Sequence, residues 1–292
     1  MQRFKYFFLL LFPIVFIVSR VTSKSEVAPG SGVMIQDADL DEISGMAFSK
    51  KNKGMIWLHN DGLQFMKLFL VDLQGKTQAV FTSKSLTWDW EDLALDPGLV
   101  DGQSYLYAGD IGDNYGFRTS VTICKIPEPQ LGDKPELDKV EKIYLQYPDG
   151  SRDAEAMLID PVSKQLYLFS KRGKVTGVYA VPLQKMTGGK TIVMQKVGSI
   201  SINSHNDRLL WITGASISPA GDQLLLRSYK NVYYWKIEKG RKLETVFSRD
   251  PVILSHTAEF QGEAIAFSTD SAAFYTLSEG EHVPLNQNPI TP

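Results

Sequence analysis

The chain has 292 residues, 43% apolar and 22% charged, a composition that supports a sizeable core and excludes a disordered polymer. Its 31 Lys and Arg against 33 Asp and Glu leave a net charge of -2, which gives no long-range pull toward nucleic acid or an anionic membrane. A single cysteine excludes an internal disulfide, so stability has to come from packing, with or without a metal.

The chain opens with the three parts of a secretory signal. Arg3 and Lys5 precede an apolar run from Tyr6 to Val18, and Val21-Thr22-Ser23 supplies a small-residue cleavage site. Cleavage after Ser23 is expected, leaving 1–23 as signal peptide, 24–29 as linker and 30–292 as one folded domain exported to the periplasm or the medium. The apolar run is shorter than the roughly 20 residues that cross a bilayer, although a retained anchor stays open as the alternative.

Five segments then share one pattern, an acidic or small start, an apolar strand, a polar turn and an aromatic-rich strand. The first runs from Glu42 to Phe48 and on to Met55–Asp61, the second from Glu91 to Leu95 and Tyr105–Asp110, and the third from Glu155 to Ile159 and Leu166–Lys171. The fourth runs from Gly214 to Ile217 and Leu224–Ser228, and the fifth from Glu263 to Phe267 and Phe274–Glu279. Starts roughly 50 to 65 residues apart suit four-stranded blades with loop insertions, so the expected fold is all-β, a β-propeller of five blades. Third strands are expected at 68–73, 121–126, 178–183 and 232–237, and fourth strands at 78–82, 142–147, 192–197 and 243–247. No segment of the mature chain carries a sustained 3.6-residue apolar period, so almost no helix is expected.

The last copy runs out after His282-Val283-Pro284-Leu285, while Gly32-Val33-Met34-Ile35-Gln36 stands unassigned before the first copy. An N-terminal strand completing the last blade would close the ring and remove its open sheet edges. A sixth blade within 201–211 is the alternative count.

This architecture makes a specific statement about acidic residues. The start of each first strand and the end of each second strand share one face, so Glu42, Glu91, Glu155 and Glu263 should gather at the channel mouth. With them should lie Asn60, Asp61, Asp110, Asp113, Asn114, Lys171, Arg172, Arg227 and Glu279. Glutamate is depleted in strands and rarely buried unpaired, so a compensating charge is required. A hard cation such as calcium takes 6 to 8 oxygen ligands and suits this supply. Glu42, Glu91, Asp110, Asp113, Asn114, Glu155 and Glu263 are the candidate metal ligands, richest where Asp89-Trp90-Glu91-Asp92 faces Gly109–Asn114. Asn60, Asp61, Lys171, Arg172, Arg227 and Glu279 are the candidate ligand-binding residues. The competing reading pairs the glutamates with Arg152, Lys171, Arg172 and Arg227, or with backbone N–H groups, as locks between blades.

Other chemistry is sparse. The sequence has no Gly-x-Ser-x-Gly elbow, no His-Glu-x-x-His, no phosphate-binding Gly-Lys-Ser/Thr loop and no cysteine pair for zinc. Cys124 reads as a buried strand residue, His59 as structural, and Trp57, Trp211 and Trp235 as packing. Asp-Trp-Glu-Asp-Leu-Ala (89–94), Gly-Asp-Ile-Gly-Asp-Asn (109–114), Asp-Ala-Glu-Ala-Met (153–157), Gly-Ala-Ser-Ile-Ser-Pro (214–219) and Gln-Gly-Glu-Ala-Ile-Ala (261–266) resemble uncharacterised exported bacterial propeller proteins of WD-repeat-like type. More distantly, the first-strand glutamates resemble those of phytase/esterase-like and gluconolactonase-type propellers, which implies a divalent ion at the channel mouth.

Two functions follow as expectations. One is a propeller binding a divalent cation and a small polar or anionic ligand, with metal-dependent phosphoesterase or lactonase-like hydrolysis as its catalytic form. The other is a non-catalytic scaffold presenting its loops to another exported protein or a cell-surface polymer. In either case a monomer is expected.

Overall fold

The computed structural model describes residues 32–203 and 205–292. The expected signal peptide (1–23) and linker (24–29) lie outside the described residues, as do Gly30 and Ser31. Among the described residues no helix is long and apolar enough to cross a membrane.

Five four-stranded antiparallel blades form the molecule, and one of them carries an additional short edge strand. From the inner strand outward, blade 1 is Ile43–Phe48, Met55–Asn60, Phe65–Asp72 and Thr77–Leu86. Blade 2 is Trp90–Asp96, Tyr105–Asp110, Val121–Pro127 and Glu141–Gln146. Blade 3 is Ala154–Asp160, Gln165–Ser170, Thr176–Pro182 and Gln195–Ile200, and blade 4 is Ile212–Ile217, Gln223–Ser228, Val232–Lys236 and Val252–Leu254. Blade 5 is Gly262–Phe267, Ala273–Ser278, Pro284–Pro289 and, returning from the start of the chain, Val33–Met34. Each inner strand packs against the inner strands of the two neighbouring blades, and the five close into a ring.

Strand alternation explains the core. With both faces of a blade covered, successive side chains go to opposite neighbours. In Tyr105–Asp110, Leu106 and Ala108 pack toward blade 1, whereas Tyr107 packs toward blade 3. The described residues form five apolar clusters, one at each seam between adjacent blades. The smallest seam, between blades 4 and 5, holds Leu225, Val232, Tyr234, Leu254, Ile265, Phe267 and Phe274.

The turn after each inner strand uses one device at one position. Ser49, Asp96, Asp160, Ser218 and Ser268 each accept backbone N–H bonds from two to five residues on, such as Leu99 to Asp96 Oδ1 at 2.7 Å and Val162 to Asp160 Oδ1 at 2.9 Å. Asp and Ser suit such turns because their short side chains replace the missing backbone acceptor.

The ring closes as the sequence predicts, with Val33 paired to Leu285 and Met34 to Pro284. The count is five, since residues 201–203 and 205–211 make loop and a single 3-10 turn, Arg208–Leu210, instead of a blade. Two outer strands differ from expectation. Leu243–Val246 is a 3-10 turn because Leu243, Val246 and Phe247 are buried at i, i+3 and i+4, and the fourth strand of blade 4 is Val252–Leu254. Ile192–Val193 belongs to blade 2, running parallel to Leu145 and Gln146, while Gln195–Ile200 completes blade 3. Trp57 and Trp235 are buried as expected, but Trp211 is only half-buried and stacks under the guanidinium groups of Arg172 and Arg208.

Candidate functional site

In every blade the inner and second strands lose register once, at the same place. The shifts fall between Ile43 and Gly45, Trp90 and Asp92, Ala154 and Ala156, Ile212 and Gly214, and Gly262 and Ala264. The residues left over are Ser44, Glu91, Glu155, Thr213 and Glu263, all buried. A bulge of this kind re-aims a side chain that the ladder would otherwise commit to a face. Three of the five are carboxylates, and the two hydroxyls tie adjacent blades: Thr213 Oγ1 donates to the Gly262 carbonyl at 2.8 Å and Ser44 Oγ to the Glu91 carbonyl.

Two further tiers follow from the same register. Two residues before each bulge stand Glu42, Asp89, Asp153, Trp211 and Gln261, and just after each second strand stand Asp61, Ile111, Lys171, Tyr229 and Glu279. The tiers are tied by the backbone, with Asp61 N–H to Glu42 O at 2.8 Å, Lys171 to Asp153 at 2.9 Å and Glu279 to Gln261 at 3.0 Å.

The closest grouping joins blades 1 and 2. Oxygens of Asp61, Asp89 and Glu91 lie within 4.8 Å of one another, and none of the three carboxylates forms an ion pair among the described residues. Gly112 lies against this group, where an added Cβ would overlap carboxylate oxygens of Asp89 and Glu91. Burial, reinforced by the Asp89 charge, raises Asp61 to about 7. Burial and then Asp153 raise Asp89, and burial followed by Glu155, Asp61 and Asp89 lifts Glu91 well above the carboxylate range. Glu155 and Glu263 are also raised, Glu155 to about 8, chiefly by burial. Each leaves its Oε2 buried with no hydrogen-bond partner among the described residues.

Lys171 is the cation of this group. Burial opposes its charge, but Glu155, Tyr229 and Glu263 hold its pKa above the ordinary lysine value. Its ammonium bonds Glu155 Oε1 and lies 5.2 Å from the Tyr229 ring centroid.

The other expected site residues have definite places. Glu42 is exposed and belongs to the upper tier; its blade's bulge residue is Ser44, because Ile43 pairs with Asn60 and Gly45 with His59. Asp110 pairs with Arg118 at 2.8 Å and accepts the N–H groups of Trp88 and Asp89. Asp113 accepts the N–H groups of Phe117 and Arg118 at 3.0 Å, so both aspartates shape the 111–120 loop. Asn114 is exposed and bonded by Arg172, which also pairs with Asp153. Asn60 Nδ2 donates to the Asp39 carbonyl at 2.6 Å and to Asp41 at 3.0 Å. Glu279 accepts from Gln261 at the rim.

Arg227 is not at the mouth. It is fully buried in the seam between blades 4 and 5, paired with Glu259 and donating to the Ala264 carbonyl at 3.1 Å. It sits one residue before the end of its strand, paired with Gly214, where alternation points it at the neighbouring blade. Gly262 leaves room for the guanidinium. His59 holds the equivalent position in blade 1, buried against Trp90 with ring centroids 4.6 Å apart, and burial lowers its pKa to about 4.

Asp153, Tyr229 and Trp211 complete the mouth and were not among the expected ligands. The first was readable, because Asp153-Ala154-Glu155 repeats Asp89-Trp90-Glu91. Below the carboxylates, buried Asp92 accepts the N–H groups of Met157 at 2.7 Å and Leu93 at 2.8 Å, joining blade 2 to blade 3.

No family model matches this chain, and no curated protein matches it. Among solved structures, a chain in a crystal structure of a nidogen/laminin complex is 12% identical with a TM-score of 0.47, covering 81% of this chain and 72% of that one. A chain of Kuenenia stuttgartiensis hydrazine synthase is 15% identical with a TM-score of 0.41, covering 82% of this chain and 56% of that one.

Proposed function

We propose that the channel mouth binds a divalent cation between Asp61, Asp89 and Glu91 and presents it to a small polar or anionic ligand. The carrying observation is the charge balance. Three carboxylates converge from two blades without an ion pair, while Lys171 is committed to Glu155, Arg118 to Asp110 and Arg172 to Asp153. The unpartnered Oε2 atoms of Glu155 and Glu263 add to the same deficit. An all-oxygen donor set favours a hard cation, and calcium with its flexible coordination suits donors drawn from two blades. With the nearby basic side chains already paired, the ion itself is the counter-charge for an anionic ligand. A bound ion would supply Lewis acidity toward a phosphoryl or carbonyl oxygen, the basis for phosphoesterase or lactonase-like hydrolysis. The signal-like N-terminus supports export to the periplasm or the medium, where calcium is accessible.

A second reading, a docking face for another exported protein or a surface polymer, is favoured by one observation. Leu63, Trp88, Tyr115, Phe117 and Phe260 are all exposed on the loops of the mouth face, with Tyr115 and Phe117 stacked at 6.3 Å.

Thermal melts with calcium, magnesium, manganese and chelator test the metal reading, because a ligand at 100 times its Kd stabilises the native state by about 2.7 kcal/mol. Stabilisation by calcium is expected in the native sequence and not in Glu91→Gln or Asp61→Asn. Absence of a shift with all three ions would sink the reading and leave the docking face.

A further inference from the structure

The channel changes chemistry along its length. Beyond the bulge tier, the inner strands contribute Met46, Leu93 and Met157 and then Phe48, Leu95, Ile159, Ile217 and Phe267 to a cavity of about 540 Å³. It reaches the turns that follow the inner strands, so it opens on the face opposite the acidic mouth. Sites of 300 to 1,000 Å³ with mostly apolar walls are the usual size and character of small-molecule pockets.

The polar groups along its walls are few and largely spoken for. Ser49 Oγ donates to Glu128 at 2.6 Å, Ser216 Oγ accepts the Phe267 N–H at 3.0 Å, and Ser218 Oγ donates to Asp222 at 2.8 Å. Among the described residues no carboxylate lines the cavity, and its charged residues are Lys50 and Lys53, both exposed at the rim. Lys50 bonds the Pro97 carbonyl, and Lys53 has no hydrogen bond or ion pair among the described residues.

We propose that this lower channel binds an elongated apolar molecule with a single anionic headgroup, of the type of a medium-chain carboxylate. The tail lies along the apolar inner-strand side chains and the headgroup sits between Lys50 and Lys53. An apolar cavity does not hold ordered water well and gains from an apolar occupant. Two lysines with no lining carboxylate favour an anion over a neutral or cationic head. The site is separate from the metal site and shares no ligand residue with it.

Calorimetric titration of the whole protein in chelator, with hexanoate, decanoate, decanol, decylamine and acetate, tests this directly. Saturable decanoate binding is expected, at least tenfold tighter than hexanoate or decylamine, with a negative heat-capacity change that marks apolar burial. Acetate should not bind. Lys53→Glu, on the exposed rim, should keep the melting temperature while weakening decanoate and strengthening decylamine. Ala215→Leu, at the inner end, should weaken decanoate without reversing the headgroup preference. The proposal is overturned by no saturable decanoate binding, by equal affinity for decanoate and decylamine, or by a headgroup preference that Lys53→Glu leaves unchanged. Chelator removes the metal site from the readout, so either proposal can fail alone.

Discussion

Lys171 bonds one oxygen of Glu155 and leaves the other, Oε2, buried without a hydrogen-bond partner among the described residues. That carboxylate is thus tied to a cation within blade 3, while its charge raises the pKa of both Glu91 and Glu263. Removing one partner of a buried pair costs about 3–5 kcal/mol. Lys171→Met should therefore lower the metal-free melting temperature sharply. The same change leaves the mouth more negative, so the calcium-induced rise should be larger than in the native sequence. A smaller rise would place Lys171 on the ligand side of the site, as an ally of bound anion.

The pH dependence has a definite sign. Asp61 and Glu155, raised to about 7 and about 8, bind more protons folded than unfolded between about pH 4 and those values. Their stabilising contribution is complete below the unfolded values and is lost as pH rises through 7 to 8. Metal-free protein should therefore be less stable at pH 8 than at pH 5. Calcium competes with those protons, so its stabilisation should grow over the same interval. Denaturant titrations at both pH values, repeated on Asp61→Asn, check it; the variant should show a flatter profile.

Gly112→Ala addresses geometry apart from charge. The added methyl would push on the Asp89 and Glu91 carboxylates without removing either. Calcium affinity measured by titration should fall at least tenfold, with a smaller loss of metal-free stability than Glu91→Ala produces.

The pair of Arg227 and Glu259 crosses the smallest apolar seam, and Glu259 also accepts Thr276 Oγ1 and Asn286 Nδ2 at 2.7 Å. Arg227→Met should cost about 3–5 kcal/mol in denaturant unfolding by stranding that carboxylate, and Glu259→Gln on the same background should restore part of it. If Arg227 instead served an anionic ligand, the single variant would lose ligand affinity while retaining stability.

Cys124 lies in the seam between blades 1 and 2, and burial pushes its thiol to about 12. Thiolate is the reactive form, so alkylation by iodoacetamide at pH 8 should be undetectable in the native protein and rapid in denaturant.

Much of this architecture was legible because a two-residue alternation and five similar turns repeat through the chain. The acidic mouth was legible for the same reason, in Asp89-x-Glu91 and Asp153-x-Glu155. Equating Glu42 with Glu91 failed because a bulge inserts one residue without any compositional mark, and only the pairing of Ile43 with Asn60 shows that Ser44 takes that place. Arg227 departs from its expected place at the mouth because its partner Glu259 lies in a loop between blades, at a separation no local pattern reveals. Residues 243–247 read as a strand in sequence, yet Leu243–Val246 forms a 3-10 turn, because a short apolar run does not declare its period until its burial is known.

The strand Val33–Met34 pairs through only two residues, yet Ile35 and Leu40 beside it are fully buried in the seam between blades 5 and 1. A linear stack of repeats can fray from its terminal units, each held by one neighbour. Here every blade has two neighbours, so no blade can open without disrupting two seams. Unfolding should accordingly be collective, and weakening the clasp at Ile35 would lower the cooperativity of the whole molecule by giving it ends from which to unravel.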